Sequence, residues 1–138
     1  MNTKSSDYFL YADDDIDDQA LLRDIINENL ANFDVISCDN GMEVLQFLES
    51  LGPDESLPCC IILDINMPVW SGVQTLQVLK AHEKFNKIPV VMFTTSSSQR
   101  DIDLTMLIGA AAFITKPFSY TQFESISQTF LTICKESS

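Results

Sequence analysis

The chain has 138 residues, 46% of them hydrophobic, enough for one ordinary domain with its own core and too few for a second. Its 20 acidic residues against 8 basic ones give a net charge of -12, which repels phosphate backbones and anionic membrane surfaces and argues against nucleic acid as a direct partner. The stretch from Met1 to Asp7 is polar, and no later apolar run approaches the ~20 residues of a bilayer span, so a cytoplasmic protein without membrane insertion is expected.

Short apolar runs alternate with longer stretches of helical period, the pattern of repeated βα units around a parallel sheet. The first strand runs from Tyr8 to Ala12 and into Asp13-Asp14-Asp15. Leu21, Leu22, Ile25, Ile26 and Leu30 mark one face of a helix from about Asp17 to Leu30, and the acidic residues before it suit its N-terminus. Phe33 to Cys38 reads as the second strand. Val44, Leu45 and Leu48 carry a second helix that stops near Gly52-Pro53. The third strand, Cys59 to Leu63, is apolar without alternation, as expected of a central strand covered on both faces, and it runs into Asp64. After the turn at Met67-Pro68, Val73, Leu76 and Leu79 or Lys80 give a third helix that ends before Ile88-Pro89. Val90 to Phe93 form the fourth strand, running into Thr94. Ile102, Met106, Leu107 and Ile108 suggest a fourth helix stopped by Gly109, and Ala110 to Thr115 make the fifth strand, running into Lys116. Phe123, Ile126, Phe130 and Ile133 lie at helical spacing on the last helix. The expected architecture is α/β, a doubly wound parallel sheet in a single domain over 1–138 with its core at about 7–135.

Cys38, Cys59, Cys60 and Cys134 form no C-x-x-C pair, and His82 is the one histidine, so a zinc site is not supported. All four cysteines are expected as small buried residues kept reduced.

If the runs are parallel strands, their carboxyl ends bring Asp13, Asp14, Asp64, Thr94 and Lys116 into the crevice where open α/β sheets bind ligands. Carboxylates so close together are stable mainly when a cation neutralises them, and their hard oxygens favour Mg²⁺. Side chains alternate in direction, so a pair from the aspartate run plus Asp64 suits one ion better than all three in the run. Asp15, Asp17 and Asp18 read as an acidic helix N-terminus. A calcium loop also deserves a test, since Asp13, Asp15, Asp17 and Asp24 fall on loop positions 1, 3, 5 and 12. It fails because Asp18 stands where that loop needs glycine and because a strand precedes it.

Asp64 surfaces from a buried strand, where a carboxylate can accept a phosphoryl group as an acyl phosphate or merely cap a turn. Asn66 could offer its backbone carbonyl to a metal, while Met67-Pro68 fixes the loop. An exposed cap near a helix start is the alternative for Lys116, disfavoured by its position between a strand and Pro117.

These residues carry a resemblance. Asp13-Asp14, then Leu63-Asp64 with Met67-Pro68 and Gly72, then Thr94, then Lys116-Pro117-Phe118 fall in the order and spacing of the receiver domain of two-component response regulators, over nearly the whole chain. The resemblance implies the flavodoxin-like (CheY-like) strand order 2-1-3-4-5. It implies that Asp64 is the phosphoacceptor, supplied by a phosphohistidine on a sensor histidine kinase or a histidine phosphotransfer protein. Asp13, Asp14 and the carbonyl of Asn66 would hold Mg²⁺ together with Asp64, Lys116 would bridge Asp64 or its phosphate, and Thr94 would bond a phosphoryl oxygen. Phe113 matches the aromatic switch position, although an ordinary buried phenylalanine is equally consistent with the sequence. Such a protein is a signalling phosphoacceptor rather than an enzyme in the usual sense, with self-catalysed phosphotransfer and autodephosphorylation only. Its readout face would be helix 4, strand 5 and helix 5.

Departures from the family pattern are Thr95, where a small residue is common, and Ser71, where an aspartate often precedes the glycine. Asn66 and Ser96 occupy positions that tune acyl-phosphate lifetime. Trp70 is expected to be exposed near the site. The end of the chain at Ser138 suggests a stand-alone regulator acting on a downstream protein target. Ile102, Leu104, Met106 and Leu107 exceed one face of helix four and are a candidate homodimer patch on the readout face. Two alternatives remain: a receiver-like interaction module working without phosphorylation, whose usual mark is loss of an acidic, threonine or lysine position, and an aspartyl phosphatase, which would usually carry aspartate where Asn66 stands.

Overall fold

The computed structural model describes residues 7–136, so most of the polar start read from the sequence lies outside the described residues. Five strands, β1 (Tyr8–Ala12), β2 (Asp34–Cys38), β3 (Cys60–Leu63), β4 (Val90–Thr94) and β5 (Ala112–Thr115), alternate with five helices, α1 (Ile16–Asn29), α2 (Gly41–Ser50), α3 (Gly72–Ala81), α4 (Gln99–Ile108) and α5 (Tyr120–Glu136). All strand pairs are parallel and the sheet order is β2-β1-β3-β4-β5, the order expected.

The continuous apolar strands resolve into two alternating faces, because each face of the sheet is covered by helices. Leu10, Ala12, Ile61, Leu63, Val90 and Met92 point to one core, closed by Val44 and Leu48 of α2 and Leu76 and Leu79 of α3. Phe9, Tyr11, Ile62, Val91 and Phe93 point to the other, closed by Leu22, Ile25 and Ile26 of α1 and Phe123 and Phe130 of α5. Helix starts are set by side-chain caps. Asp15 accepts the N–H groups of Asp17 and Asp18, Asn40 that of Glu43, Ser71 that of Gln74 and Ser98 that of Asp101. Ser71 therefore keeps the capping role that an aspartate would have there.

Three strands are shorter than the sequence suggests, β3 by one residue because it begins at Cys60. The Phe33 N–H donates to the Leu30 carbonyl, closing the turn after α1, so β2 begins at Asp34. The Ala110 N–H donates to Thr105 beside that of Gly109, whose φ of 128° ends α4, so β5 begins at Ala112. One expectation is corrected: Cys59 and Cys134 form a disulfide, with Cα atoms 5.2 Å apart, joining the residue before β3 to the last turns of α5. The fold brings together two cysteines that no local spacing relates. Cys38 and Cys60 are free and buried, as expected. No helix among the described residues is long and apolar enough to cross a membrane.

Burial pushes the thiols of Cys38 and Cys60 up from 9.0 to about 12, and burial followed by the charge of Glu55 pushes the Tyr8 phenol up from 10.0 to about 12. The folded chain thus keeps protons that the unfolded chain gives up, so stability is complete below the ordinary values and is lost as pH rises through the raised ones. The guanidinium midpoint should stay level to the ordinary thiol value of 9.0 and fall steadily towards pH 12. A level midpoint across that window would contradict the buried placement of these groups.

Candidate functional site

The parallel ladder carries Asp13, Asp64 and Lys116 one step beyond their strand ends, while Thr94 is the last residue of β4. The Asp13 N–H donates to the Cys38 carbonyl at 3.1 Å, the Asp64 N–H to Ala12 at 3.1 Å and the Lys116 N–H to Thr94 at 2.7 Å. Asp13, Asp64, Thr94 and Lys116 therefore leave adjacent strands at the same edge of the sheet, at its carboxyl ends.

Asp13 is fully buried and Asp64 nearly so, while Asp14 is exposed beside them. Carboxylate oxygens of Asp13, Asp14 and Asp64 lie within 4.8 Å of one another. Three hard oxygen donors at that spacing, two of them little exposed, suit a small divalent cation. The Lys116 ammonium supplies the positive charge the protein itself provides. It donates to Asp13 Oδ2 at 2.6 Å, to Asp18 Oδ2 at 2.8 Å and to Asp64 Oδ2 at 3.0 Å, and it lies 5.9 Å from the centre of the Phe93 ring. Burial alone would lower the Lys116 pKa. The hydrogen bonds to Asp13 and Asp18 and the charges of Asp64 and Asp13 outweigh it and raise the pKa above the ordinary lysine value.

Asp13 is the most constrained of the carboxylates. Its Oδ2 also accepts the Tyr11 hydroxyl at 2.6 Å, and its Oδ1 accepts the Asp15 N–H at 2.9 Å. Burial raises its pKa, and the hydrogen bonds from Lys116, Tyr11 and Asp15 pull in the opposite direction. The buried Tyr11 phenol is itself raised, by burial first and then by the Asp13 charge, so it stays protonated and donates. Neither Tyr11 nor Asp18 was singled out for the site by sequence. Tyr11 reads there as core and Asp18 as a helix N-terminal acid. Asp15 and Asp17 do occupy that N-terminal role, whereas Asp18 adds its bond to Lys116.

The loop after β3 places the other expected residues. Asn66 is exposed, and its N–H donates to Asp64 Oδ1 at 3.4 Å. Thr94 is fully buried and its Oγ1 accepts the Ser96 N–H at 3.4 Å, while Thr95 is exposed. Phe113 is half-buried against the core closed by α2 and α3. Trp70 is half-buried rather than exposed, since its Cβ lies close to Gly41 at the start of α2. Val69 holds φ of 68°, a left-handed conformation that a β-branched residue rarely adopts. Gly72 makes the close approach that closes the loop. Its N–H donates to Ile65 at 2.8 Å, and a Cβ there would stand 2.2 Å from the Asp64 carbonyl oxygen and 2.8 Å from the Ile65 Cα.

The response regulator receiver domain family matches residues 9–127. The chemotaxis protein CheY1 of Helicobacter pylori strain J99 is 28% identical over 107 residues, which cover 75% of this chain and 83% of that protein. A CpxR homologue, a transcriptional regulatory protein of Haemophilus influenzae, is 34% identical over 110 residues, 80% of this chain but 44% of that protein. The crystal structure of the phosphorylated cyanobacterial phytochrome response regulator RcpA matches 97% of each chain with a TM-score of 0.84 at 24% identity, a likeness of fold.

Gly72→Ala should lower stability by about 1–3 kcal/mol, because backbone atoms of the Asp64 loop must move to admit the methyl group. Urea unfolding measures this, and an unchanged midpoint would show that the loop has slack the structure does not contain.

Proposed function

The chain belongs to the response regulator receiver domain family, and on that premise we propose that Asp64 is the residue that accepts the phosphoryl group. The chain is a receiver domain of two-component signalling, related to CheY proteins, and its family is one of signalling proteins and not a classical enzyme family. The observation that carries the assignment to Asp64 is the meeting of residues distant in sequence: Lys116 lies within 3.0 Å of Asp64 and 2.6 Å of Asp13, with Asp14 at the same acidic cluster.

In the proposed reaction a carboxylate oxygen of Asp64 attacks the phosphorus of a phosphohistidine on a sensor histidine kinase or phosphotransfer protein. The new O–P bond forms as the N–P bond breaks, and the departing imidazole nitrogen takes up a proton. Asp13, Asp14, Asp64 and the Asn66 backbone carbonyl are the groups that would hold Mg²⁺, which when bound neutralises charge on the incoming phosphoryl oxygens. Lys116, bonded to Asp64 Oδ2 and Asp13 Oδ2, supplies the second positive charge. Thr94, at the end of the neighbouring strand, is the hydroxyl assigned to a phosphoryl oxygen.

Once Asp64 carries phosphate, its new contacts with Lys116 and Thr94 favour one of two conformations already open to the fold. Phe113, half-buried on β5 beside β4, is the side chain proposed to follow Thr94. The readout would fall on α4, β5 and α5. There Leu104, Met106, Leu107 and Phe118 are exposed and available to a downstream protein or to a second copy of the chain. The reading as an interaction module that never meets phosphate is not favoured, because the acidic, hydroxyl and lysine positions are all present.

Intact mass after incubation with acetyl phosphate and Mg²⁺ tests the assignment. The wild-type chain should gain one hydroxylamine-labile phosphoryl group, and neither Asp64→Asn nor wild type with the metal chelated should gain it. A folded wild-type chain that gains nothing from acetyl phosphate or from a phosphohistidine donor would overturn the reading.

A further inference from the structure

Asp18 lies outside the set of residues that the family pattern brings to the site, yet it touches the charge at its centre. An ammonium has three protons to donate, and here three carboxylates take them: Asp13 at 2.6 Å, Asp18 at 2.8 Å and Asp64 at 3.0 Å. A phosphoryl oxygen arriving on Asp64 needs one of those protons, so one of the present partners must give way.

The three are not equally able to do so. Asp13 has no exposed surface, and a buried carboxylate stripped of its ammonium would carry a large desolvation cost. Asp64 is the group that carries the phosphoryl. The Asp18 side chain is 35% exposed on the first turn of α1, where water can replace the ammonium and the helix N-terminus still favours its charge. We propose that Asp18 is a positioning residue for Lys116, holding the ammonium on the α1 side of the resting site and competing with phosphoryl oxygens for it. The proposal rests on the reading of Asp64 as the phosphoacceptor.

A competitor makes a prediction opposite in sign to that of a support. If Asp18 only helped to build the site, removing its carboxylate would loosen Lys116 and weaken phosphoryl binding. As a competitor its removal frees a proton of Lys116 and takes one negative charge away from the path of an anion, so binding strengthens. Asp17 provides the control. It is also acidic, in the same first turn and exposed, whereas the ion-pair partners of Lys116 among the described residues are Asp13, Asp18 and Asp64.

The test is a titration with beryllium fluoride, a phosphoryl mimic, at saturating Mg²⁺, followed by fluorescence of the single tryptophan Trp70 or by calorimetry. Asp18→Asn should bind about threefold to tenfold more tightly than wild type, the worth of one partly exposed charge-assisted contact, even if it melts at a lower temperature. Asp18→Ser removes the same carboxylate and should shift affinity in the same direction, which covers the case of an unstable Asn variant. Asp17→Asn should stay within about twofold of wild type, since it changes charge without the contact. Unchanged or weaker binding by both Asp18 variants, or equal tightening by Asp17→Asn, would overturn the competition. Failure of folded wild-type protein to bind the mimic would instead overturn the assignment of Asp64, and this inference with it.

Discussion

The site depends on one buried ammonium. Lys116 leaves β5 and reaches over the sheet to carboxylates set by β1 and β3, so three strands converge on a single positive charge. Without it Asp13 would be a buried carboxylate with no counter-charge, held by hydrogen bonds from Tyr11 and Asp15 alone, a costly state that favours its protonation. With it the carboxylates still outnumber the cation among Asp13, Asp14, Asp18, Asp64 and Lys116. That remaining excess of negative charge is what a divalent ion would neutralise, so structural demand and metal-binding capacity have the same origin.

The rest of the fold keeps that geometry fixed. Backbone bonds from Asp64 to Ala12 and from Lys116 to Thr94 extend the parallel register into the site, so the side chains start from positions set by the ladder and not by loops. Two separate cores clamp the sheet. Phe93 belongs to the one under α1 and α5, with its ring near Lys116, while Phe113 packs against the one under α2 and α3. The edge that carries the proposed phosphoacceptor thus borders both cores, and a shift at Thr94 or Lys116 can be felt on either face of the sheet.

Much of this was legible in the sequence because it depends on local pattern. The apolar runs that end in Asp13, Asp64, Thr94 and Lys116 mark both the strands and the residues that meet at their carboxyl ends, and β1 is observed at the residues read from the sequence. What was not legible depends on where distant atoms land. Phe33 and Ala110 look like strand residues, yet their N–H groups serve a turn and a helix end. Cys59 and Cys134 are 75 residues apart and pair only because α5 returns to the start of β3. Tyr11 fits an apolar strand pattern, and only the fold turns its hydroxyl to Asp13. Asp18 is a good helix N-terminal acid on local grounds, which hides its second role until the Lys116 head group is placed.

Val69 sits five residues beyond Asp64 with its backbone in the left-handed region, where a branched side chain crowds the chain by roughly 1–2 kcal/mol. The resting loop therefore does not adopt the shape it would choose alone; the close Gly72 contact with Asp64 and Ile65 after it holds it there. A rearrangement around Asp64 that lets Val69 return to negative φ would release that strain and offset part of its own cost. The loop is in this sense a loaded spring, and its tension lies beside the residue where the chemistry is proposed to begin.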